Sequence, residues 1–370
     1  MSRDAHRLLR NPGPIEPYPL EPSNEELATS VGFAVERIVR YDLNTLGGGP
    51  LPGVSAAWAV WDPASAVEYG DLGYRRLREA LGRATGVAPH RIIPGAGADE
   101  LIRLVTTSVV GPGDGVVIAA PTFPMFGVEA GLAGASVNAV TREHPSVRQA
   151  PDAIRARVEE TGSRLVWICS PNNPTGDAHP LDELRRVADG LEAIVAVDQV
   201  YLEFAQASGS HNLDAIALQD ELDNVLVLRS LAKSHGLAGA RIGYLVVPDA
   251  LAGRFDALRL PLSVGAATEA LAVGALADAS AADRHGAIVA ERDRLAGVLR
   301  GLGCEVLDGL GNFVTFRPGD APTLAAALLA RGLVIREFPA PGPMAGWLRA
   351  TARAADENDL LIAALGEALR

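Results

Sequence analysis

The 370-residue chain has few of the residues and segments on which several protein classes depend. Its two cysteines, Cys169 and Cys304, are too few for a disulfide framework and lack metal-ligand spacing. We therefore expect a reducing compartment and no metal site. No run of about 18 apolar residues could span a membrane, and the first residues lack the apolar core of a signal peptide. These absences predict a cytoplasmic protein that does not bind membranes.

Positive charge is also in short supply. The 33 Lys and Arg residues against 45 Asp and Glu residues give a formal net charge of −12, and no basic cluster stands out. A nucleic-acid or anionic-membrane surface is therefore not expected. Hydrophobic residues make up 48% of the chain and charged residues 21%, which is typical of a globular enzyme or binding protein and excludes extensive disorder.

Lysine is the scarcest basic residue, because 32 of the 33 basic residues are Arg and only Lys233 is Lys. Arg replaces Lys on a protein surface, but a guanidinium does not lose its proton and cannot act as a neutral amine. The single remaining lysine is therefore a candidate for amine chemistry. Chance survival of a surface lysine is the competing interpretation at this point.

The hydrophobic pattern predicts strands and helices in alternation from about residue 73. The runs Leu165–Cys169 and Ala193–Val197 are apolar at every position, as strands buried on both faces require. This pattern favours an α/β fold with a mostly parallel sheet between helices, followed after about residue 250 by a smaller α+β domain. We expect an N-terminal arm and helix at 1–45, packing on the small domain or a partner subunit, a large domain at 46–255 and a small domain at 256–370.

A capping-box sequence at the N-terminus predicts where the first helix begins. Ser23 and Glu26 are spaced as a capping box requires, and we expect the helix that they open to reach about Tyr41.

Four polar loops follow predicted strands, where open α/β sheets gather their functional groups. They are Gly95-Ala-Gly-Ala-Asp-Glu100, Ser170-Pro-Asn-Asn-Pro-Thr-Gly176, Asp198-Gln-Val-Tyr201 and Ser230 to Arg241. The first could bind phosphate at a helix N-terminus, but it fails as a dinucleotide fingerprint because Glu100 replaces the third glycine. Each loop alone is most often a turn, a helix cap or a salt bridge, whereas their joint order is unusual.

Together these loops resemble the pyridoxal-phosphate (PLP) enzymes of fold type I, the class I/II aminotransferase superfamily. The Ser-Pro-Asn-Asn-Pro-Thr-Gly run, the Lys…Gly-Leu-Ala-Gly-x-Arg-x-Gly-Tyr segment and the late Leu-Arg349 are specific in combination. Within the superfamily the chain is most similar to histidinol-phosphate aminotransferases, from about Tyr69 to Leu369. The resemblance implies a seven-stranded, mostly parallel sheet in the large domain, PLP as the cofactor and a homodimer with shared active sites.

The resemblance also implies roles for residues around the reacting centre. Lys233 is similar to the lysine that forms a Schiff base with PLP, which requires a depressed pKa. Asp198 is similar to the carboxylate paired with the pyridine nitrogen, and Asn173 and Tyr201 to the pair that binds the phenolic oxygen. Arg349 is similar to the guanidinium that binds the substrate α-carboxylate, with Asn173 beside it. Lys233, Asp198 and Tyr201 are thus the expected catalytic residues.

Further residues are expected to hold the cofactor. Ser230, Arg241 and the turn Gly97-Ala98-Asp99 resemble the group that binds the PLP phosphate, with charge pairing from Arg241 and helix N-terminal amides from the turn. Phe123 is similar to the aromatic residue stacked on the PLP ring. Tyr69 is similar to a tyrosine that reaches the phosphate in the partner subunit.

Several positions depart from histidinol-phosphate aminotransferases. The usual Asn-Glu-Asn-Pro segment is replaced by the stretch from Leu43 to Pro50, the Ser before the lysine is Ala232, and Gln199-Val200 replaces Glu-Ala. The aromatics near the cofactor are Phe123 and Phe126, the latter our second choice for stacking, where Tyr is frequent. These changes leave the PLP residues in place and open the substrate to an amino acid of specialised metabolism.

Three functions stay open on the residues alone. The first is an aminotransferase that acts on an L-amino acid. The second is a PLP-dependent elimination or replacement enzyme, or a cyclase acting on a hydroxylated arginine as capreomycidine synthases do. The third is a PLP-binding transcription regulator, which needs a basic DNA-binding domain that residues 1–60 do not contain.

Overall fold

The computed structural model describes Tyr18, residues 21–338 and residues 340–369. The strands in these ranges are β1 (Val39–Arg40), β2 (Ile92–Gly95), β3 (Gly115–Ala120), β4 (Ser136–Thr141), β5 (Leu165–Cys169), β6 (Ile194–Asp198), β7 (Val225–Ser230), β8 (Gly243–Val246), β9 (Glu305–Val306), β10 (Phe313–Arg317), β11 (Leu333–Val334), β12 (Arg336–Glu337) and β13 (Leu348–Thr351). The helices are α1 (Asn24–Val31), α2 (Pro52–Val60), α3 (Arg75–Thr85), α4 (Ala98–Val109), α5 (Met125–Ala133), α6 (Pro151–Thr161), α7 (Leu181–Ala188), α8 (Leu202–Ala207), α9 (Leu231–Ser234), α10 (Asp249–Leu258), α11 (Ala266–Leu276), α12 (Ala281–Gly301), α13 (Ala321–Leu329) and α14 (Ala355–Ala368).

Seven strands form the central sheet in the order β2-β8-β7-β6-β5-β3-β4. All neighbours from β7 to β4 are parallel, whereas β8 is antiparallel to both β7 and β2. The predicted seven-stranded, mostly parallel sheet is therefore confirmed. Because parallel strands need crossover connections, α6, α7 and other helices lie between consecutive strands along the chain.

Helices cover both faces of this sheet, which explains why its central strands are apolar at every position. In β5, Val166 and Ile168 pack in one core cluster with Ile154 of α6, while Leu165 and Trp167 pack on the opposite face. Successive side chains of a strand point to opposite faces, so both faces need apolar residues. In the ranges described above, no helix has the length and apolar character needed to cross a membrane.

A second, four-stranded sheet has the order β12-β13-β10-β9 and is antiparallel throughout. Helices α12, α13 and α14 pack against it through Leu295, Leu324 and Leu361, among other residues. The N-terminal part of the chain joins this region, because β1 pairs in parallel with β11. Consequently the segment that follows β1 runs directly into the space between the two sheets.

The first helix begins as predicted but ends much earlier. Ser23 and Glu26 form the expected capping box, with Ser23 N–H donating to Glu26 at 2.7 Å. The helix ends at Val31, however, and the predicted extension to about Tyr41 is wrong. Gly32 follows in the left-handed conformation with φ +71°, a common helix C-terminus that glycine adopts without a Cβ penalty.

Candidate active site

One cavity of about 440 Å³ lies where the carboxyl ends of β5, β6 and β7 meet the second sheet. The strand ends supply polar loops at one edge of the central sheet, and β13 and the segment after β1 close the opposite side. Ten of the predicted site residues line this cavity: Ala98, Asp99, Phe123, Asn173, Asp198, Tyr201, Ser230, Lys233, Arg241 and Arg349. Residues that come from loops far apart in sequence are thereby brought to one place.

Lys233 lies in the short helix α9, which directly follows β7. Its Nζ donates a hydrogen bond to the Leu43 carbonyl oxygen at 2.8 Å. Burial, followed by the positive charges of Arg349 and Arg241, lowers the pKa of Lys233 to about 8. A larger fraction of this amine is neutral near neutral pH than of an ordinary lysine, as nucleophilic amine chemistry requires.

Asp198 is the last residue of β6, and only 2% of it is exposed. Its Oδ1 accepts a hydrogen bond from the Val200 N–H at 3.1 Å. Burial raises the pKa of Asp198 to about 7, although the Val200 hydrogen bond and the charge of Lys233 oppose this shift. A buried carboxyl group of this kind is well suited to pair with a cationic group that enters the cavity.

Tyr201 and Asn173 lie on loops that follow two adjacent strands of the central sheet. Burial raises the pKa of Tyr201 above its ordinary value, and its hydroxyl oxygen accepts a hydrogen bond from Asn44 Nδ2 at 2.9 Å. Asn173 accepts a hydrogen bond from the Arg349 guanidinium through Oδ1. Each of these two polar side chains is therefore held by a residue from another part of the chain.

Arg349 projects from the middle of β13 and is 7% exposed. Its guanidinium donates to Asn173 Oδ1 and to the backbone carbonyl of Asp42, both of which are uncharged acceptors. Its buried Nε has no hydrogen-bond partner among the described residues. Burial, and to a lesser degree the positive charge of Arg336, lowers the pKa of Arg349 to about 10. The guanidinium therefore has unused capacity to bind an anion.

The predicted phosphate-binding residues form a second group at the start of α4. Arg241 Nη2 donates to Asp99 Oδ2 at 2.9 Å, and Ser230 caps α9 by accepting from the Ala232 N–H at 3.1 Å. Gly97 lies directly beneath Arg241, because a Cβ at this position would lie only 2.7 Å from Arg241 Nη2. The first N–H groups of a helix have no intrahelical partner, so Ala98 and Asp99 offer amides to the cavity.

The two candidate aromatic residues lie in different environments. Phe123 lines the cavity and meets Tyr18 edge-on, with the ring centres 6.3 Å apart. Phe126 is fully buried and stacks on Trp167 of β5 at 4.7 Å. Phe123 is therefore placed to contact a bound ring, whereas Phe126 belongs to the core.

Tyr69 is not among the cavity residues. It lies between α2 and α3 and is 86% exposed. The structure therefore brings Gly97 and ten other predicted residues to one site and leaves Tyr69 on the surface of this chain.

The cavity also contains residues that were not singled out from the sequence. Among them are Tyr18, Glu21, Asp42, Asn44, Arg336, Phe338 and Met344. Asn44 lies in the stretch that departs from the Asn-Glu-Asn-Pro segment, which marked its region but not its contact with Tyr201. A charged residue inside the apolar run Leu333-Val-Ile-Arg-Glu-Phe338 is the signal that could have identified Arg336.

Comparison with known proteins identifies the family. Residues 61–365 match the family described as "Aminotransferase class I and II". The chain is 36% identical over 364 residues to a histidinol-phosphate aminotransferase of Roseiflexus castenholzii, covering 95% of each chain, and 36% identical over 324 residues to one of Stenotrophomonas maltophilia, covering 84% and 87%. It resembles the crystal structure of histidinol-phosphate aminotransferase from Sinorhizobium meliloti in complex with pyridoxal-5'-phosphate, with a TM-score of 0.86, 28% identity and 95% of each chain covered.

These matches bear on the predictions made from the motifs. The expected fold type I architecture, PLP as the cofactor and an aminotransferase-like enzyme are confirmed, and the regulator and cyclase alternatives gain no comparable support. The chain belongs to the class I and II aminotransferase family.

Proposed function

We propose that this chain transfers an amino group between an L-amino acid and a 2-oxo acid, using PLP bound in the cavity. The observation that carries the proposal is the position of the only lysine. The amine of Lys233 lies in the cavity with a pKa of about 8, and the buried carboxyl of Asp198 and the guanidinium of Arg349 line the same cavity and act on its charge. In a chain that otherwise uses arginine for every basic side chain, this amine supports a function that arginine cannot perform.

The residues present fit the cofactor. Gly97 leaves space that a Cβ would fill, next to the amides at the start of α4 and the Arg241 guanidinium, as a phosphate group requires. Phe123 offers a ring face, and Asp198 is a buried carboxyl group that could pair with a ring nitrogen. When bound, PLP supplies an aldehyde carbon and an electron-withdrawing ring that stabilises negative charge at the substrate Cα.

The protein residues then supply proton transfer and orientation. Lys233 would take the proton from the substrate Cα and deliver it to the former aldehyde carbon of PLP, on the other side of the amino nitrogen, because its amine is neutral in part near neutral pH. Asp198 would hold the proton on the ring nitrogen, where its buried carboxylate would gain a cationic partner. Tyr201, which Asn44 holds in place, would donate to the phenolic oxygen.

Arg349 orients the substrate. Its Nε has no described partner and its other nitrogens contact neutral oxygens, so an α-carboxylate would provide the anion that the guanidinium lacks. Asn173 fixes the guanidinium and lies beside the expected position of the carboxylate. Together they would hold the Cα–H bond within reach of Lys233.

The division into an arm with its helix at 1–45, a large domain at 46–255 and a small domain at 256–370 is part of this proposal. It is supported by the origin of the cavity walls, since Asp198 ends a strand of the central sheet and Lys233 lies in α9 directly after another, whereas Arg349 comes from the second sheet. Closure of one part on the other would exclude water from the reacting atoms.

We also propose that the active unit is a homodimer. We infer that the exposed apolar side chains near Tyr69 in the sequence form one surface patch with Leu260, since the preceding Arg259 donates to the Leu72 carbonyl at 2.6 Å. The patch consists of Trp58 (58% exposed), Val60 (83%), Val67 (81%), Tyr69 (86%), Leu72 (58%) and Leu260 (60%). Apolar patches of this kind on a protein surface mark interaction sites. In a two-fold dimer formed through this patch Tyr69 would lie in the interface, where the family resemblance implies a tyrosine that reaches the phosphate group of the partner subunit.

A panel of L-amino acids tests the reaction type. The purified protein with PLP should convert at least one amino acid to its 2-oxo acid and leave the cofactor in its amine form, seen as loss of the yellow absorbance. A 2-oxo acid should then restore this absorbance. A different organic product with no net amination of the cofactor would contradict amino transfer and identify elimination or cyclisation instead.

Subunit mixing tests the dimer. Lys233→Ala and Tyr69→Ala chains should each be inactive, and a mixture that exchanges subunits should regain part of the activity, since one site of each heterodimer is intact. Light scattering should show twice the chain mass. Exchange without recovery of activity, or a monomer in light scattering, would contradict a shared site.

A further inference from the structure

Two guanidinium groups lie side by side on the wall of the cavity. In the antiparallel pairing of β12 with β13, Arg336 lies directly opposite Arg349, and both residues line the cavity. Opposed residues on neighbouring strands project from the same face of a sheet with their Cβ atoms about 5 Å apart, and like charges in this arrangement repel. Such a pair could bind two anionic groups of one substrate unless the protein itself supplies one of them.

The protein does supply one anion. Glu21 lies in the cavity wall and forms an ion pair with Arg336, and both side chains are largely buried, with 28% and 19% of their surfaces exposed. Asp42 is not a second such anion, because its carboxylate is held by Arg40 at 2.8 and 2.6 Å. In the part of the chain that the structure describes, Arg349 has no carboxylate at ion-pair distance.

Several apolar side chains share the cavity with the Glu21–Arg336 pair. The Arg336 guanidinium lies 5.9 Å from the centre of the Phe338 ring, Pro343 and Met344 line the same cavity, and Tyr18 lies there against Phe123. Met344 is 4% exposed and packs with Phe338 in a small hydrophobic cluster. A side chain that extends from an α-carboxylate on Arg349 towards Arg336 would therefore meet hydrophobic surface and a charge that is already neutralised.

We propose that Glu21 is a specificity-determining residue that selects substrates with uncharged side chains. It does so by occupying Arg336, which leaves Arg349 as the single anion-binding group for the α-carboxylate. This inference rests on the proposed function and specifies its substrate class. A second carboxylate or a phosphate would have to displace Glu21 from a largely buried position or lie against its negative charge, and both cost binding free energy. An apolar or aromatic side chain requires neither.

Kinetics of the holoenzyme test the proposal through a ratio of kcat/KM values. Wild type should prefer L-leucine and L-phenylalanine over L-glutamate and O-phospho-L-serine. Glu21→Gln, which keeps the shape and removes the charge, should shift this ratio towards the anionic substrates by about tenfold. Glu25→Gln is the matched control, since Glu25 is exposed on α1 and does not line the cavity. Adding Arg336→Gln to Glu21→Gln should abolish the shift, because the freed guanidinium is what binds the second anion.

Calorimetry gives a reading that does not depend on turnover. Titration of the holoenzyme with 3-phenylpropionate and with glutarate compares one carboxylate with two, and Glu21→Gln should shift the ratio of their Kd values towards glutarate by about tenfold. An unchanged ratio in Glu21→Gln, or a wild-type preference for glutarate, would overturn the proposal. A preference for L-arginine that Glu21→Gln removes would also overturn it, since Glu21 would then bind a cation. Failure to turn over any amino acid would contradict the proposed function alone, and the calorimetric ratio would still decide the role of Glu21.

Discussion

Because Lys233 is the only lysine, its titration can be followed without interference from any other lysine. In protein labelled with [ε-¹³C]lysine, the only lysine side-chain signal comes from this residue. Its chemical shift as a function of pH reports the pKa of the amine in the cofactor-free protein. The expected midpoint is about 8 rather than the ordinary 10.5.

The size of this shift follows from the environment of the amine. A fall in pKa from 10.5 to about 8 lowers the proton affinity about 300-fold, mainly because burial disfavours the ammonium ion. At pH 7 about one amine in ten is then neutral, compared with about one in three thousand for an ordinary lysine. In the proposed reaction this neutral fraction would be the form of Lys233 that removes the proton and forms bonds through its nitrogen near neutral pH.

A variant separates burial from charge. Arg349→Gln removes the positive charge that acts most strongly on Lys233. The pKa of Lys233 should therefore rise, and its neutral fraction at pH 7 should fall. Arg294→Gln is the matched control, because Arg294 pairs with Glu291 on the outer face of α12 and does not line the cavity. A wild-type midpoint near 10.5, or a midpoint that Arg349→Gln leaves in place, would refute the reasoning.

Two further predictions concern stability. The pKa of Asp198 rises from 3.8 to about 7 on folding, so its contribution to stability is present at low pH and is lost as the pH rises through 7. Cofactor-free Asp198→Asn should therefore be more stable than wild type at pH 8 by up to about 4 kcal/mol, and by less at pH 5, in urea unfolding. If Asp198→Asn were less stable than wild type at pH 8, burial of the charged Asp198 carboxylate would not destabilise the fold. Asn44 has φ +52° and donates to Tyr201. Asn44→Ala should cost about 2 kcal/mol, and Asn44→Gly about 1 kcal/mol less than Asn44→Ala, since glycine tolerates this conformation. Equal losses in the two variants would show that backbone strain plays no part.

Local sequence signals were sufficient for the central sheet and for most of the cavity. A strand such as Leu165–Cys169, apolar at every position, is buried on both faces only where helices cover both sides of the sheet. Its composition therefore places it in the central sheet. The polar loops directly after such runs had to meet at one edge. Lys233 was identified by comparing the numbers of lysine and arginine, since 32 of the 33 Lys and Arg residues are Arg.

Contacts between distant parts of the chain could not be predicted in this way. The partner of Arg336 is Glu21, and the partner of Tyr201 is Asn44, both of which lie in the N-terminal region that β1 carries between the sheets. No periodicity connects such residues. The early end of α1, by contrast, could have been predicted from the sequence. Gly32 is a residue type that commonly ends helices, and it outweighs the helical pattern that follows.

The charges of the cavity show why contacts between distant parts of the chain matter for function. Three guanidinium groups line it, and residue type alone does not show which of them is free to bind an anion. In the fold, Arg241 has Asp99 and Arg336 has Glu21, whereas Arg349 has only uncharged acceptors among the described residues. In the proposed reaction a substrate carboxylate would therefore be attracted most strongly to Arg349. Burial, and after it the positive charge of Arg349, lowers the pKa of Lys233, so in the proposed reaction one guanidinium would both position the substrate and increase the neutral fraction of the amine that acts on it.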